Sequence, residues 1–347
     1  MALQAIRTDQ PELWQAALAR SGAYDFYHRA DYHALAEHLG EGEAVLLDWR
    51  GPSASVALPL LLRPIGTIPG LKEIGADRVD ATSVYGYAGP VASQVPLPPI
   101  ESKLFGEQVE QWLARNRVVS LFARLHPLLG NAAVIAGLGE AMVVGPTVSI
   151  DLARPAEEQI GGYRANHRRD LRKLRNAGFS CRMASDAPAI AAFAEIYLQT
   201  MARVSAAPAY VFDVAYFERL LTIPGLKLML CLVEGEVCAG AVVSACGAIA
   251  QYHLGGTADR WLNRAPMKLI FDEARQWASG LGCTRLHLGG GLGAREDALF
   301  NFKAGFSQDR HAFRVWRWVI DQVAYDRLVA RVGAEAQASA SFPAYRT

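Results

Sequence analysis

The sequence predicts a mixed α/β fold, of the α+β kind, built as two domains of similar plan. The chain has 347 residues, more than the roughly 250–300 at which a single hydrophobic core stops growing. Hydrophobic residues make up 51% of it and charged residues 20%, a composition typical of a globular protein. Helical and strand-like periodicities alternate along both halves in a loosely similar order.

The first half combines apolar stripes of helical period with short strand-like runs. Helices are predicted over residues 11–22, 30–40 and 100–117, and strands over 44–49, 55–65 and 118–127. A further strand runs into a turn at Pro155. We therefore predict an N-terminal domain over residues 1–150.

The second half follows a similar plan and predicts a domain over residues 151–320. Residues 226–257 read as three antiparallel strands joined by tight turns at Glu234-Gly235-Glu236 and Cys246-Gly247-Ala248. Helices are predicted over 165–177, 187–204, 267–282, 296–306 and 322–333, and strands over 284–290 and 311–321.

Composition limits the function classes. The formal net charge of +1 excludes a surface coated for nucleic acid, so such binding would need a local patch. The five cysteines form no CxxC pair, which predicts buried free thiols in a reducing compartment and no metal site. The N-terminus lacks the pattern of a signal peptide, and no apolar run is long enough to span a membrane. We expect a cytoplasmic protein.

One segment departs from this balance of charge. Residues 163–179, YRANHRRDLRKLRNAGF, place Arg and Lys on most of the exposed arc of a predicted helix, with Leu171 and Leu174 towards the core. Such a helix is either a well-solvated face or a phosphate-binding patch. The basic residues are Arg164, Arg168, Arg169, Arg172, Lys173 and Arg175.

Several strings in order resemble the Fem-type aminoacyl-tRNA-dependent peptidyltransferases and their relatives with a duplicated GNAT fold. The strings are SVYGYAGP (83–90), FARLHP (122–127), NHRRDLRKLRNAGF (166–179), YHLGGT (252–257) and FNFKAGF (300–306). The resemblance covers roughly residues 25–320. It implies two tandem GNAT-like domains with mixed sheets facing across a cleft, and a C-terminal helix, about 321–347, that returns to the first domain. No long heptad run is present, so the chain resembles the members without a coiled-coil arm.

One loop of the sequence indicates whether the acyl donor is CoA. GNAT enzymes that use CoA carry a [QR]xxGx[GA] loop whose backbone amides bind a pyrophosphate. Residues 260–265, RWLNRA, place Asn263 where the central glycine belongs, and a side chain there would crowd the phosphate. This favours a donor other than CoA; the alternative is a simple strand-to-helix loop followed by Pro266 at the start of the helix.

FNFKAGF supplies the candidate catalytic residues. Phe302 and Phe306 lie four apart and predict core packing, whereas Lys303 is displaced from their face and is expected to bury little apolar area. The resemblance implies that the Phe302–Lys303 pair lies at the aminoacyl end of the tRNA and that Lys303 is important for transfer. A fixed cation there would stabilise the oxyanion formed on the ester carbonyl; the alternative is an ordinary surface lysine.

The acceptor would be an amine, in a cell-wall precursor or an antibiotic scaffold. Its candidate binding residues are Tyr85, Tyr87, Arg203, Tyr210 and Tyr252, each of which could instead be ordinary packing. The sequence offers no convincing general base, and the ribose hydroxyls of the tRNA could carry the proton.

We therefore predict an aminoacyltransferase that forms an amide from aminoacyl-tRNA and an amine, with no cofactor and no metal. A GNAT N-acyltransferase that uses acyl-CoA and acts on a sugar or small amine is the first alternative. A non-catalytic binding protein on the same fold is the second.

Overall fold

The chain divides into two compact units. The computed structural model describes residues 2–333 and 341–346. Unit 1 contains residues 1–144 and 312–347, and unit 2 contains residues 145–311. Residues 312–320 were predicted to belong to the second domain. They lie in unit 1 because their strand pairs antiparallel with residues 120–125.

The described residues form strands and helices whose bounds are as follows. The strands are β1 (Ala2–Ile6), β2 (Glu43–Arg50), β3 (Ser55–Pro64), β4 (Val79–Thr82), β5 (Val91–Ala92), β6 (Val118–Leu125), β7 (Glu140–Asp151), β8 (Ser180–Ala184), β9 (Leu226–Val233), β10 (Glu236–Cys246), β11 (Ile249–Thr257), β12 (Arg285–Gly289) and β13 (Arg310–Val319). The helices are α1 (Pro11–Arg20), α2 (Ala30–His38), α3 (Pro99–Arg115), α4 (Ala156–Gly161), α5 (Ala165–Asn176), α6 (Ala187–Arg203), α7 (Val214–Leu220), α8 (Met267–Gly280), α9 (Ala298–Lys303) and α10 (Gln322–Val332).

Unit 1 is a mixed sheet with the strand order β1-β2-β3-β4-β6-β13, and β5 pairs beside β3. The pairs are antiparallel except for β4 and β6, which are parallel because α3 carries the chain back between them. Apolar side chains from β2, β3 and β6 pack with one face of α3, and Trp49 and Phe105 lie fully buried at this contact. Their rings meet edge to face at 5.7 Å.

Unit 2 has the strand order β7-β12-β11-β10-β9-β8. Its three central strands confirm the predicted antiparallel set, and Glu234 and Gly235 both take positive φ in the first tight turn, as a two-residue hairpin requires. After β11 the chain crosses through α8 and returns as β12, parallel to β11. The two units thus share one plan: an antiparallel meander, a helix, and a parallel strand.

The C-terminal helix is shorter than the predicted span of about 321–347. α10 ends at Val332, and residues 334–340 and 347 lie outside the described residues. A short 3-10 turn follows at Ala344–Arg346, where Tyr345 is fully buried and exchanges a hydrogen bond with Ser120 at 2.8 Å. The end of the described chain is therefore anchored in unit 1.

Short strands were the main elements that the sequence did not reveal. β1, β4, β5 and β8 have two to five residues each, too few for a strand period to emerge. The predicted helix over 296–306 was also too long, because α9 begins after the capping Asp297 and ends at Lys303.

Candidate active site

The parallel strands β11 and β12 stay paired for only three residues. Residues 249–251 pair with residues 285–287, and β11 then continues to Thr257 while β12 pairs on its other side with β7. In the described part of unit 2, residues 252–257 of β11 have no partner on β12. An opening at the carboxyl ends of parallel strands is where ligands commonly bind in α/β sheets.

Lys303 lies beside this opening. Its Nζ donates a hydrogen bond to the carbonyl oxygen of Gly290, just after β12, at 2.7 Å, and lies 5.4 Å from the ring centroid of Tyr252 on β11. The residue is only 6% exposed. Burial lowers the pKa of Lys303 to about 8, and the nearby carboxylate of Asp297 opposes this shift. At pH 7 the side chain is still largely a cation, held in a dry setting where a charge acts strongly.

Lys303 is more deeply buried than its sequence position predicts. We expected its stem to bury little apolar area, on the assumption that a regular helix carries Phe302 and Phe306 on its inner face. Instead α9 ends at Lys303, and Phe306 lies beyond the helix and is fully buried. The last helical residue can therefore point inward while Phe302 remains half-buried. Phe302 and Phe306 do pack together, with ring centroids 5.7 Å apart.

Aromatic rings form the wall next to Lys303. Tyr252 packs on Phe271 of α8 with centroids 4.7 Å apart, and Phe271 also meets Phe302 edge to face at 5.4 Å. The face of a Tyr ring attracts a cation. The structure thus brings together three of the residues that the sequence singled out, Phe302, Lys303 and Tyr252, around one opening.

Gly290 has a packing reason to be glycine. A Cβ at this position would lie 2.8 Å from the carbonyl oxygen of Pro146, closer than real Cβ atoms approach. The absence of a side chain lets the loop after β12 run against β7 and present its carbonyl to Lys303. The glycine-rich loop thereby sets the position of the lysine.

The basic helix is α5, and all six of its predicted cations are exposed, counting Arg164 at its N-cap. Four of them have protein partners. Arg175 makes ion pairs with Asp272 and Glu273 at 2.6 and 3.1 Å, so it does not belong to an unpaired cationic face. The others bond to the Asn301 carbonyl (Arg164), the Gly161 carbonyl (Arg168) and the Asp170 carboxylate (Arg169). Among the described residues, the side chains of Arg172 and Lys173 make no hydrogen bond or ion pair.

Asp170, the one acidic residue in this helix, has a structural role. Its Oδ2 accepts from Nζ of the buried Lys268 at 2.7 Å. That bond is the main reason that the pKa of Asp170 is lowered. The sequence shows only one carboxylate among cations, and Lys268 lies 98 positions away in the chain. Only the fold identifies the partner.

The loop before α8 is closed by its own contacts. Residues 259–264 form a 3-10 helix, and Ala265 takes a positive φ of 53°. The indole of Trp261 donates to Glu236 at 2.9 Å, and the guanidinium of Arg264 lies over the ring of Phe179. Asn263 is exposed in this turn. Pro266 was predicted at the first position of the helix. It lies instead at the N-cap, and α8 begins at Met267.

The predicted acceptor residues fall in different parts of the chain. Tyr85 and Tyr87 belong to unit 1, where Tyr87 meets Phe313 edge to face at 5.2 Å and the Tyr85 carbonyl accepts from Tyr32. In unit 2, Arg203 at the end of α6 is exposed and forms an ion pair with Asp259. The carbonyl of Tyr210 accepts from Tyr197 at 2.7 Å.

His126 and His253, each in or next to a strand, are both buried. His126 bonds through Nε2 to Asp25 at 3.1 Å and through Nδ1 accepts the amide of Leu128 at the same distance. Both ring nitrogens are thus engaged in structure. Burial lowers the pKa of His253 to about 3, so this ring is neutral at pH 7. Asp25 was missed because a single aspartate in a loop has no sequence signal.

No group of three or more His, Cys, Asp or Glu side chains among the described residues is arranged to hold a metal ion. None of the described helices combines the length and the apolar character that crossing a membrane demands.

Comparison with known proteins identifies the class of fold. Residues 161–303 match the family described as acetyltransferase (GNAT) domain. This span contains α5, the strands beside the opening and Lys303. No curated protein matches the chain in sequence.

Solved structures extend the likeness to the whole chain. The crystal structure of FemX is 12% identical, with a TM-score of 0.71 over 94% of this chain and 99% of that one. The C-terminal domain of a putative lysylphosphatidylglycerol synthetase from Agrobacterium fabrum is 14% identical, with a TM-score of 0.55 over 93% and 96%. A tandem GNAT protein from the clavulanic acid biosynthesis pathway is 15% identical, with a TM-score of 0.50 over 91% and 98%. The chain therefore has the Fem-like, duplicated GNAT fold.

Proposed function

We propose that this protein is an acyltransferase that moves an amino acid from aminoacyl-tRNA to an amine acceptor and forms an amide. The observation that carries the proposal is the position of Lys303, a buried cation bonded to the Gly290 carbonyl beside the opening between β11 and β12. The Fem-like fold and the GNAT domain match support acyl transfer at this place.

Lys303 would stabilise charge during the reaction. The neutral amine attacks the ester carbonyl carbon, a C–N bond forms, and the carbonyl oxygen becomes an oxyanion. The C–O bond to the ribose then breaks, and the ribose oxygen takes up the proton that the amine releases. An ammonium group fixed in a dry site meets the oxyanion with little reorganisation. This role requires Lys303 in its protonated form.

The basic helix would bind the RNA. Arg172 and Lys173 are exposed and have no partner among the described residues, and Arg168 bonds only a backbone carbonyl. Exposed guanidinium and ammonium groups that form no ion pair within the protein can contact phosphates and release counterions. Because α5 packs against α8 and its N-cap bonds to α9, bound phosphates would lie on the helix that adjoins Lys303.

The acceptor would be recognised by polar groups from the regions predicted by the sequence. Arg203 offers a planar fork for a phosphate or carboxylate, and its exposed pair with Asp259 can exchange for a ligand. Tyr252 would contact the acyl group, since its ring adjoins Lys303. Tyr85, Tyr87 and Tyr210 remain predictions.

Acyl-CoA is the second candidate donor. The GNAT domain match favours it. The side chain at Asn263 disfavours it, because a bound pyrophosphate needs close approach to backbone amides.

The test is a transfer assay with both donors. The protein is incubated with bulk tRNA charged with labelled amino acids and with a panel of lysine-containing peptides and amino sugars, with and without ribonuclease. Acetyl-CoA with the same acceptors forms the parallel arm. We expect amide product from charged tRNA that ribonuclease abolishes and Lys303→Ala reduces. Product from acetyl-CoA alone would replace this function by the second candidate, and no product from either would leave a binding protein.

A further inference from the structure

Three hydrogen bonds connect the start of the basic helix to α9 and to the turn that follows it. The backbone amide of Arg164 donates to the carbonyl of Gly305 at 2.8 Å, and its Nη1 reaches the carbonyl of Asn301 at 3.2 Å. One turn along, Nε2 of His167 lies 3.0 Å from the carbonyl oxygen of Phe302. Because a carbonyl can only accept, Nε2 must carry a proton and donate it.

His167 is held firmly at this contact. It is 4% exposed and packs edge to face on Phe306, with ring centroids 4.7 Å apart. A Cβ at Gly305 would lie 2.2 Å from its Nε2, so glycine makes the space that the ring fills. Burial lowers the pKa of His167, helped by the charges of Lys268 and Arg164 and opposed by the hydrogen bond to the Phe302 carbonyl.

The carbonyl that His167 holds belongs to the peptide group that joins Phe302 to Lys303. α9 has only six residues, and so short a helix does not fix its own position. External contacts must place its last turn. The peptide group before Lys303 is thus hydrogen-bonded to His167, and Nζ of Lys303 is hydrogen-bonded to Gly290.

We propose that His167 is a positioning residue for Lys303, which ties the basic helix to the cation at the opening between β11 and β12. The proposal rests on the proposed function for its consequence in transfer, but the geometry itself can be tested without any substrate. Within α5, His167 is the residue whose side chain bonds directly to the Phe302 carbonyl.

Two variants distinguish the effect of the hydrogen bond from the effect of having any polar side chain at position 167. In His167→Gln, the side-chain amide reaches about as far as Nε2 and can still donate to the Phe302 carbonyl. In His167→Asn, the amide reaches only about as far as Nδ1, so it is a matched polar control without the bond. Gly305→Ala is an independent variant that keeps the histidine but forces its ring away.

The first measurement is the pKa of Lys303 in the free protein. The chain has six lysines, so the ε-carbon signals of protein labelled with 13C-lysine can be titrated by NMR, and Lys303→Arg identifies the signal by its loss. We expect a pKa near 8 in the wild type, as the structure gives, and in His167→Gln. In His167→Asn and Gly305→Ala the pKa should rise towards its ordinary value, because Lys303 becomes more exposed.

The second measurement is transfer from charged tRNA. Displacement of a catalytic group by about 1 Å can cost about 10²-fold in rate, so kcat should fall by up to that factor in His167→Asn while KM for charged tRNA stays unchanged. His167→Gln should keep most of the activity. A Lys303 pKa that stays near 8 in a folded His167→Asn or Gly305→Ala variant would overturn the positioning role, whatever the protein transfers. A shifted pKa without any transfer by the wild type would leave the positioning role intact and reject the proposed function.

Discussion

Lys268 in the first turn of α8 forms an ion pair with Asp170 in the middle of α5. Nζ and Oδ2 are 2.7 Å apart, and their side chains are 9% and 29% exposed. A lysine this deeply buried requires a partner. The single acidic residue of the basic helix therefore anchors the middle of that helix to α8, as Arg175 does near its end, while Arg172 and Lys173 remain exposed.

Removal of this anchor should destabilise the protein in a pH-dependent way. In Asp170→Asn, Lys268 remains buried without its charged partner, and we expect a loss of about 1–3 kcal/mol at pH 7. The pKa of Asp170 is lowered in the folded state, so its contribution is present above the ordinary aspartate pKa and is lost as the pH falls through the folded value. Urea unfolding of both proteins at pH 7 and pH 3 measures this. An equal difference at both pH values would contradict it.

Charge reversal on α5 should weaken RNA binding. We predict that Arg168→Glu with Arg172→Glu lowers the affinity for deacylated tRNA and flattens its dependence on salt, because fewer phosphates are neutralised. Fluorescence anisotropy across a salt series measures both. The control is Lys103→Glu with Arg115→Glu, an equal charge change on exposed positions of α3 in unit 1. If both double variants behave alike, α5 is only a solvated face.

Lys303 should control the rate of transfer. Loss of a charge that stabilises an oxyanion typically costs on the order of 10²–10³ in rate, and we expect this for Lys303→Ala in single-turnover assays. Lys303→Arg should recover only part of it, because a planar fork cannot replace a compact ammonium. Since the protonated form is required, the ratio of the wild-type rate to the Lys303→Ala rate should fall as the pH rises above about 8, because both proteins share the pH dependence of the acceptor amine. A ratio that rises through this range would instead assign Lys303 as a base.

Lys303 should also make the free energy of unfolding depend on pH. Over the range in which the rate ratio falls, the stability should rise. Its folded pKa of about 8 lies below the ordinary value of about 10.4, so between these values the unfolded chain binds more protons and stability rises with pH. Lys303→Met keeps the apolar stem but lacks this titration. The stability of the wild type relative to Lys303→Met should therefore increase from pH 7 to pH 10. A constant difference in denaturant unfolding would show that Lys303 is not desolvated in the folded protein.

CoA should bind poorly because of the side chain at position 263. We predict no saturable binding of acetyl-CoA at low micromolar concentration by calorimetry, and tighter binding by Asn263→Gly, which restores the backbone approach. The exposed position of Asn263 makes the variant harmless to the fold. Micromolar binding by the wild type would support the acyl-CoA alternative.

The sequence by itself determined the long elements and their order. The three central strands of unit 2, the helix α5 with Leu171 and Leu174 inward, and the strands β2, β3 and β6 follow from periodicity and turn residues, which act over a few positions. The resemblance of short ordered strings predicted the duplicated fold, which the comparisons confirm.

Only the tertiary structure decided which charges are buried and what they contact. From its place beside Phe302, Lys303 was expected to bury little apolar area, yet the end of α9 and the glycine at position 290 turn it inward. Asp170 and Lys268 are far apart in the chain, as are His167 and Phe302. Periodicity describes which side of an element faces the core. Whether a polar group there finds a partner depends on contacts between distant segments, and these exist only after the chain has folded.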